Sequence, residues 1–365
     1  MKLHFKIILA FTGFLVVFTG ITCLYFTSND YSKDLYRPNI ILISIEATKA
    51  SHLPCYGYKR NTTPNICEIS EEGVLFKNAY STAPYTLPSL SSILTSKLPN
   101  EHCSLTLKDP LDNSLRTLPE YLKEKNYKTY GVVTGPLTDP YYNLDQGFDE
   151  YNNIAVYNSN KSAEKVNKRA KKIMRLHNPV KPFFLWLHYY EPHRPYDSGK
   201  KFRGALAQTH YSSKIFENKI VWKDEEITAI RNQYDEELKQ VDYYIGKLLD
   251  KLKRKEQFKN SLIIITSDHG EDLHEIRPNF NHGLYLRDEV LHVPLIIKLP
   301  NNKYSKTAIR EPVSTRDIFP TIKSILESSK VNLSGYNLRR IIRNSSKRPA
   351  VISQNLGKIN SIATE

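Results

Sequence analysis

Acidic and imidazole side chains follow two strongly apolar segments of this 365-residue chain. Glu46 comes directly after residues 39–45, and Asp268 and His269 come directly after residues 262–267. A carboxylate at the end of a buried segment is costly unless a cation or a hydrogen-bond network meets it. If both segments are strands of one sheet, the two carboxylates and the imidazole supply oxygen and nitrogen ligands for one divalent cation. Each of the three residues alone is more often a turn residue or a helix cap.

A hydroxyl group, that of Thr86, lies within residues 83–89, a loop that runs into a predicted helix. At a helix N-terminus it faces unpaired N–H groups and the positive end of the helix dipole, which stabilise an attacking oxygen and a bound anion. The plain alternative is that Thr86 only caps the helix. If the cation also binds Thr86, its hydroxyl becomes a usable nucleophile. The predicted metal ligands are therefore Glu46, Thr86, Asp268 and His269.

Histidines are concentrated at the end of a third apolar segment, residues 183–189, and one recurs at His282. Histidines at strand ends can donate to the oxygens of a tetrahedral ester or protonate its leaving group. A scattered histidine is more often structural, but Arg194 beside this group favours an anion site. The predicted catalytic residues are Thr86, His188, His193 and His282.

The segments that must position these groups alternate between strand and helix patterns. Continuous apolar, β-branched runs predict buried strands at residues 39–45, 128–134, 183–189, 262–267, 293–299 and 350–353. Helical patterns occupy residues 63–72, 88–96, 114–125, 163–176, 225–252 and 314–327. This alternation predicts a doubly wound, mostly parallel α/β sheet flanked by helices, with ligands bound beyond the carboxyl ends of the strands.

The N-terminal residues predict a membrane anchor. Residues 7–26 carry no formal charge, and at about 1.5 Å rise per residue such a helix just spans the hydrocarbon layer. A cleaved signal peptide is the alternative, although its apolar region is usually shorter and ends at small residues. Lys2 and Lys6 predict a cytoplasmic N-terminus, and therefore a catalytic domain outside the cytoplasm. We divide the chain into an anchor, 1–27, a polar linker, 28–37, and a catalytic domain, 38–365.

The charge balance favours anionic partners. The chain has 52 Lys+Arg and 38 Asp+Glu, a net charge of +14, which suits phosphate esters, acidic lipid surfaces or sulfated glycans. No nucleic-acid motif accompanies the basic segments, so we expect no nucleic-acid partner. Residues 161–175 predict an amphipathic helix whose charged face is either solvated surface or a docking site for an acidic membrane or glycan. The sequence makes no prediction of the oligomeric state.

The four cysteines are too few for a disulfide framework. Cys55, Cys67 and Cys103 could form one bridge in an oxidising compartment. No zinc-type spacing links them, and we expect them to be small buried hydrophobic residues.

Together these motifs resemble the sulfatase family within the alkaline-phosphatase superfamily, from about residue 38 to residue 353. The similar segments follow the family's order along the chain: residues 39–46, 56–65, 86–89, 188–196, 266–271, 282–283 and 293–296. The resemblance implies an alkaline-phosphatase-like fold and a metal-dependent hydrolase or transferase that acts on phosphate or sulfate esters.

The nucleophile position departs from the family's usual pattern. Ordinary sulfatases convert the Cys or Ser of a Cys/Ser-x-Pro-Ser-Arg motif to formylglycine, whereas this chain has Thr86-Leu-Pro-Ser-Leu90. Glu46, Thr86 and Asp268-His269 together resemble the metal site of the lipoteichoic-acid synthase and phosphoethanolamine transferase branch. That branch passes a lipid headgroup through a phosphothreonine. The resemblance therefore implies a covalent intermediate on Thr86 and favours phospho-chemistry, with a phosphate or sulfate ester, a lipid headgroup or a glycan as substrate.

The predicted donor set also bears on the metal. A mixed carboxylate, hydroxyl and imidazole site favours zinc or manganese, while the family resemblance permits calcium.

Two alternative functions stay open. One is a sulfuric ester hydrolase in the ordinary sulfatase sense. The other is a catalytically inactive protein that binds an anionic glycan or lipid, suggested by Leu90 in place of arginine and by Ser51 at a position often acidic in relatives. The family commonly continues into a smaller C-terminal subdomain, so the shortened C-terminal part of this chain predicts a reduced substrate wall.

Overall fold

Strand β1, Ile40–Ile45, is buried at every position because it has parallel neighbours on both sides. Its side chains alternate between the two faces of the sheet, as the period of a strand requires. Ile40 and Leu42 contribute to one hydrophobic core, whereas Ile41 and Ile43 contribute to a second core on the opposite face. The continuous apolar run in the sequence therefore reflects burial on both faces.

The computed structural model describes residues 37–154, 162–178, 180–209, 221–276, 280–327, 332–343, 350–355 and 358–362. The strands after β1 are β2 Val74–Tyr80, β3 Lys128–Thr134, β4 Glu150–Ile154, β5 Phe183–Tyr189, β6 Leu262–Ser267, β7 Asp272–Leu273, β8 Phe280–Asn281, β9 His292–Lys298, β10 Thr307–Ile309, β11 Val313–Ser314, β12 Val351–Asn355 and β13 Lys358–Ile362. The main sheet has the order β10-β2-β9-β6-β1-β5-β3-β4, and β11 pairs with β2. Only β9 within it is antiparallel to its neighbours, so the predicted mixed α/β fold with a mostly parallel sheet is confirmed.

Helices cover both faces of this sheet. They are α1 Pro64–Glu71, α2 Thr86–Thr95, α3 Pro99–His102, α4 Leu118–Glu124, α5 Ser162–Leu176, α6 Asp224–Arg254, α7 Gln257–Asn260, α8 Asp288–Leu291, α9 Ile318–Leu326 and α10 Leu338–Ile342. Short 3-10 helices occur at Ala50–His52, Pro54–Tyr56, Pro136–Thr138, Pro140–Tyr142, Pro300–Asn302 and Thr315–Asp317. Helices α2, α4 and α9 contribute to the core with Ile40, and α5 and α6 to the core with Ile41. The described strands and helices belong to one compact unit, Asn39–Glu365.

Some predicted elements differ from those observed. Helix α4 begins at Leu118 rather than at residue 114, because the Thr117 side chain accepts a hydrogen bond from the Glu120 amide and caps the helix there. Strands β2 and β4 were not predicted. The strand predicted at residues 350–353 lies outside the main sheet, since β12 pairs only with β13, in an antiparallel ladder.

The expectation for two of the cysteines is wrong. Cys55 and Cys67 are joined by a disulfide, with their Cα atoms 5.4 Å apart, and both are only partly buried. The bond connects the 3-10 helix Pro54–Tyr56 to helix α1. Cys103 is free and exposed.

The predicted anchor at residues 7–26 lies outside the described residues. Within the described part of the chain, no helix combines the length and the apolar character needed to cross a membrane. The longest helix, α6, has 31 residues but carries charged side chains along its length.

Candidate active site

Strands β1, β5 and β6 bring three predicted site residues to one edge of the sheet. The parallel register places Ser44 beside His188 and Ile45 beside Ser267, so the residues at the carboxyl ends of these strands become neighbours. One ligand atom from each of Glu46, His188 and Asp268 lies within 4.8 Å of the other two. All three residues are buried. We predicted that His188 would handle the anion or leaving group, and this position favours a role as a metal ligand.

His269 completes this cluster. Its Nε2 atom lies 3.2 Å from Glu46 Oε1 and 3.4 Å from Asp268 Oδ2. Its Nδ1 atom is 2.7 Å from the Gly270 carbonyl oxygen, so we assign a proton to Nδ1. The Nε2 atom then faces the two carboxylates. Tetrahedral ligands about 2.0–2.2 Å from zinc are separated from each other by about 3.3 Å. The spacing of these three side chains therefore fits a small divalent cation.

Asp268 presents an unsatisfied oxygen to the cluster. Its Oδ1 atom accepts hydrogen bonds from the amides of Ala47, at 3.1 Å, and His269, at 2.8 Å. Its Oδ2 atom is buried and has no hydrogen-bond partner among the described residues. Burial, and then the charge of Glu46, raise the pKa of Asp268 to about 6. A buried carboxylate oxygen of this kind is satisfied by a bound cation.

The charges of the cluster point the same way. Burial raises the pKa of Glu46, but the hydrogen bonds from His188 and His269 outweigh it and hold that pKa well below its usual value. Burial has the opposite effect on His269 and lowers its pKa. The charge of Asp268 and the hydrogen bond to Glu46 outweigh burial and raise that pKa to about 9. Without a cation, a proton on His269 therefore offsets the carboxylate charge. A divalent cation would take over that role.

Thr86 is the first residue of helix α2, and its side chain reaches the cluster. Its hydroxyl donates to Glu46 Oε1 at 2.5 Å, and Oγ1 lies 3.3 Å from His269 Nε2. The structure thus brings together all four residues predicted as ligands, Glu46, Thr86, Asp268 and His269, and adds His188.

The loop before Thr86 is held by contacts with distant parts of the chain. The Ser81 hydroxyl donates to the Asp268 carbonyl oxygen. Strand β12 supports the same loop through two hydrogen bonds. The Ser353 hydroxyl donates to the Ser81 carbonyl oxygen at 2.6 Å. The Gln354 backbone amide donates to the Thr82 carbonyl oxygen at 2.7 Å. These contacts fix the start of helix α2 against the ends of β1 and β6.

Ser44 orients His188 from within strand β1. The Ser44 hydroxyl oxygen lies 2.8 Å from His188 Nδ1 and accepts a hydrogen bond from Trp186 Nε1 at 2.9 Å. His188 Nε2 lies 2.9 Å from Glu46 Oε2. Sequence reasoning did not identify Ser44, although it is the one hydroxyl residue in an otherwise aliphatic strand.

A cavity of about 320 Å³ opens above Glu46 and Thr86. Its remaining lining consists of tyrosines, apolar side chains, glycines and a few polar groups, namely Tyr85, Gly135, Pro136, Leu137, Thr138, Tyr190, His193, Arg194, Asn281, His282, Gly283 and Leu284. Two predicted catalytic residues, His193 and His282, therefore face the cavity. His188 is fully buried beneath it.

His282 is oriented by an acidic partner that sequence reasoning missed. Its Nδ1 atom lies 3.0 Å from Glu271 Oε1. Burial raises the pKa of Glu271, but the charge of His282 and its hydrogen bond lower it below its usual value. The His282 ring also lies 4.3 Å from that of His269 and 5.2 Å from that of His193. The segment from Asp268 to Glu271 thus supplies both the metal cluster and the orientation of a cavity histidine.

His193 is a neutral group in the same wall. Burial, and then the charge of His282, lower the pKa of His193 to about 4. Its Nδ1 atom lies 2.6 Å from the Arg194 carbonyl oxygen, which assigns the ring proton to Nδ1. Nε2 is then a hydrogen-bond acceptor near neutral pH.

Most of the chain is similar to known proteins. A family model for sulfatases matches residues 38–328. The chain is 23% identical over 361 residues to the uncharacterized sulfatase YidJ of Escherichia coli, covering 83% of this chain and 70% of the relative. It is 24% identical over 287 residues to N-acetylgalactosamine-6-sulfatase of Rattus norvegicus, covering 65% of this chain and 50% of the relative. The chain thus spans about half the length of that relative.

A solved structure shows the same fold. The crystal structure of the phosphonate monoester hydrolase of Agrobacterium radiobacter superimposes with a TM-score of 0.73 at 18% identity, covering 87% of this chain and 80% of that one. At this identity the likeness concerns the arrangement of strands and helices.

Proposed function

Because the chain belongs to the sulfatase family, we propose that it is a metal-dependent hydrolase or transferase that acts on a phosphate ester through a covalent intermediate on Thr86. The observation that carries this proposal is the hydrogen bond of 2.5 Å from Thr86 Oγ1 to Glu46, at a helix start beside a cavity. A threonine cannot be converted to formylglycine. The hydroxyl itself is therefore the nucleophile we propose.

One divalent cation would be held by the five clustered side chains, Glu46, Thr86, His188, Asp268 and His269. Two imidazoles among the donors favour zinc or manganese over calcium, which prefers six to eight oxygen ligands. When bound, the cation would lower the pKa of the Thr86 hydroxyl and stabilise the anionic ester.

The side chains divide the proton transfers between them. As the bond from Thr86 Oγ1 to phosphorus forms, the Thr86 proton passes to Glu46, the carboxylate it already contacts. The bond from phosphorus to the leaving oxygen breaks, and His282, oriented by Glu271, gives that oxygen a proton. Water or an acceptor alcohol then attacks phosphorus and gives its proton to His282. The bond from phosphorus to Thr86 Oγ1 breaks, and Glu46 returns the proton to the Thr86 oxygen. The N–H groups at the start of helix α2 face the anion throughout.

The cavity wall suits a leaving group with a flat or apolar surface. Tyr85 and Tyr190 lie on this wall together with Leu137 and Leu284. Aromatic rings of this kind stack on sugar or aryl rings. Arg194 adds a positive charge suited to an anionic ester. We therefore propose a phosphorylated glycan or a similar ester as the substrate class.

The proposal is tested by activity and intact mass. Full-length protein loaded with zinc or manganese is assayed against aryl phosphate monoesters, aryl phosphate diesters and aryl sulfates. We expect turnover of a phosphate ester and the mass of one phosphoryl group on Thr86. The Thr86→Ala protein should lose the added mass and turn over at least about a thousandfold more slowly. The Thr86→Ser protein keeps a hydroxyl group and should keep part of the rate. Wild-type turnover by the alanine variant would end the proposal.

Sulfate ester hydrolysis is the second candidate, favoured by the names of the relatives, such as N-acetylgalactosamine-6-sulfatase. Turnover of aryl sulfates alone in the same assay would select it. Stoichiometric metal with no turnover of any ester would instead indicate a protein that binds an anionic glycan or lipid without converting it.

A further inference from the structure

Eight cationic side chains line a groove of about 690 Å³ formed by helices α5 and α6. We call it the basic groove, and its members are Lys165, Lys168, Arg169, Lys171, Lys172, Arg175, Lys251 and Arg254. Among the described residues, none that lines this groove is acidic. One member, Arg169, has a salt bridge to Glu150, at 2.6 Å. The groove is thus a concentrated positive surface that shares no lining residue with the cavity above Glu46 and Thr86.

Helical spacing accounts for the outward direction of these charges. Lys165, Lys168, Lys172 and Arg175 recur at intervals of three and four and are all exposed. The opposite face of α5 is buried in the core with Ile41. Like charges three or four positions apart destabilise a helix by a few tenths of a kcal/mol for each pair. An anionic partner would remove this repulsion.

Two exposed apolar side chains follow the cations of α5 along the chain, Leu176 at the last position of the helix and Val180 four positions later. Leu176 is 69% exposed and Val180 is 86% exposed. Cations beside exposed aliphatic side chains are the composition of segments that lie at a membrane interface. A polyanionic glycan would contact the cations but would leave these two side chains in water.

Hydrogen bonds place the Arg175 end of this surface at the amino edge of the sheet, whereas the start of α5 bonds to Glu191, beyond the carboxyl end of β5. Lys255, which follows α6, donates to the Met174 carbonyl oxygen in α5 at 2.7 Å. Asn39 bonds to the amides of Phe183 and Leu262, where β5 and β6 begin. The ends of both helices and the starts of three strands therefore share one edge. The metal cluster lies at the other edge, about 20 Å away along strands of this length.

The chain also enters the sheet at this amino edge, through Asn39. The sequence predicts a membrane anchor at residues 7–26. The ten linker residues 28–37 reach at most about 35 Å.

We propose that the basic groove, with Leu176 and Val180, is a docking surface for an anionic phospholipid membrane. The cations contact the headgroups, and the two aliphatic side chains enter the interface.

A fluorescent probe at position 176 tests this. Leu176→Cys is made in full-length protein that also carries Cys23→Ser and Cys103→Ser, labelled with an environment-sensitive dye, and reconstituted in nanodiscs. Iodide should quench the label about tenfold less in nanodiscs of mixed phosphatidylserine and phosphatidylcholine than in phosphatidylcholine alone. A label at Leu284→Cys, beside the catalytic cavity, should be quenched equally in both.

Charge reversal supplies the matched control. Glutamate at Lys165, Lys168, Lys172 and Arg175 should abolish the protection. Glutamate at four exposed cations elsewhere, Lys59, Lys108, Lys200 and Arg310, should leave it intact at the same net charge. If the protein with glutamate at Lys165, Lys168, Lys172 and Arg175 does not fold, glutamine at these four positions removes the same positive charges and should also abolish the protection. Equal quenching in both kinds of nanodisc, or protection by a soluble sulfated polysaccharide without anionic lipid, would overturn the proposal.

Discussion

Ser44 shows how one hydroxyl group prepares the candidate metal site. A histidine that binds a metal through Nε2 must carry its proton on Nδ1. The Ser44 oxygen, 2.8 Å from His188 Nδ1, accepts a hydrogen bond from that N–H group. Trp186 donates to the same oxygen, and the two bonds fix the hydroxyl. In the metal-bound protein, His188 would then direct its Nε2 lone pair toward the cation.

We predict that Ser44→Ala weakens binding of zinc or manganese by about tenfold to a hundredfold, because the His188 ring loses its orienting partner. Competition with a chromogenic chelator measures the affinity. Trp186→Phe is the matched control, since it removes only the indole N–H and should weaken binding less. Equal affinity in the Ser44→Ala protein and the wild type would show that Ser44 does not orient the ligand.

We predict that His282→Ala lowers turnover in a way that depends on the leaving group. Turnover of phenyl phosphate should fall by about a hundredfold or more, because phenolate needs a proton as it leaves. Turnover of 4-nitrophenyl phosphate should fall much less, since nitrophenolate leaves without one. Rates for both esters, measured under metal saturation, give the comparison.

Glu271→Gln tests the same assignment from the orienting side. Glutamine keeps an acceptor for His282 Nδ1. Turnover should therefore again fall more for phenyl phosphate than for 4-nitrophenyl phosphate, but by a smaller factor than in the His282→Ala protein. Equal losses for both esters in the His282→Ala protein would mean that His282 is not the proton donor.

At the scale of elements, His102 holds helix α2, whose first residue is Thr86. The Ser104 amide donates to His102 Nδ1 at 3.0 Å, which places the ring proton on Nε2, 3.1 Å from the Pro88 carbonyl oxygen. This arrangement requires a neutral ring. Burial lowers the pKa of His102 to about 4, although the bond to Pro88 partly opposes the shift.

We predict that His102 makes the fold sensitive to acid. Between pH 6.5 and 4 the unfolded chain binds a proton here that the folded protein does not, so the free energy of unfolding falls as the pH is lowered. From pH 7 to pH 5 the loss due to this residue should be about 2 kcal/mol. Urea unfolding at both pH values, for wild type and His102→Gln, measures it. An equal loss in both proteins would contradict the prediction.

The strands that could be predicted from the sequence are those buried on both faces. Strand β6, for example, is apolar over four consecutive positions. Strand β4 has the sequence EYNNI and is only partly buried at the edge of the sheet, so its composition gives no apolar signal. Strand β2 is interrupted by Lys77 and Asn78. Strand β12 has a strand-like sequence, but pairing with β13 rather than the main sheet is not encoded in its local pattern.

The site was predictable to the extent that its residues follow strands or begin helices. Glu46, Asp268 and Thr86 all do so. Ser44 and Glu271 could not be assigned, because their roles depend on which residue they contact across the sheet or loop. The contact from Ser44 to His188 spans 144 positions. Only the register of β1 on β5 creates it.

At the scale of the whole molecule, two adjacent buried carboxylates make stability depend on the metal. Glu46 and Asp268 repel each other at the centre of the main sheet's carboxyl edge. We predict that EDTA lowers the unfolding temperature and that zinc or manganese restores it more effectively than calcium. At a concentration a hundred times the dissociation constant, the gain should be about 2.7 kcal/mol. Thermal unfolding with metal titration measures it.

A double variant provides the control for this measurement. Glu46→Gln with Asp268→Asn removes the repelling charges, so its unfolding temperature should not respond to EDTA. If the wild type were equally unresponsive, the cluster would not be a metal site.

The contact of strand β12 with the loop before Thr86 has a consequence for timing. Ser353 and Ser81 are 272 positions apart. At about 5–20 residues per second, roughly 14–54 s of translation separate them. Until β12 has been synthesised, the nascent chain therefore carries Thr86 on a loop that lacks this contact. The loop that positions Thr86 can therefore reach its braced form only after β12 has left the ribosome, well after Thr86 itself has been made.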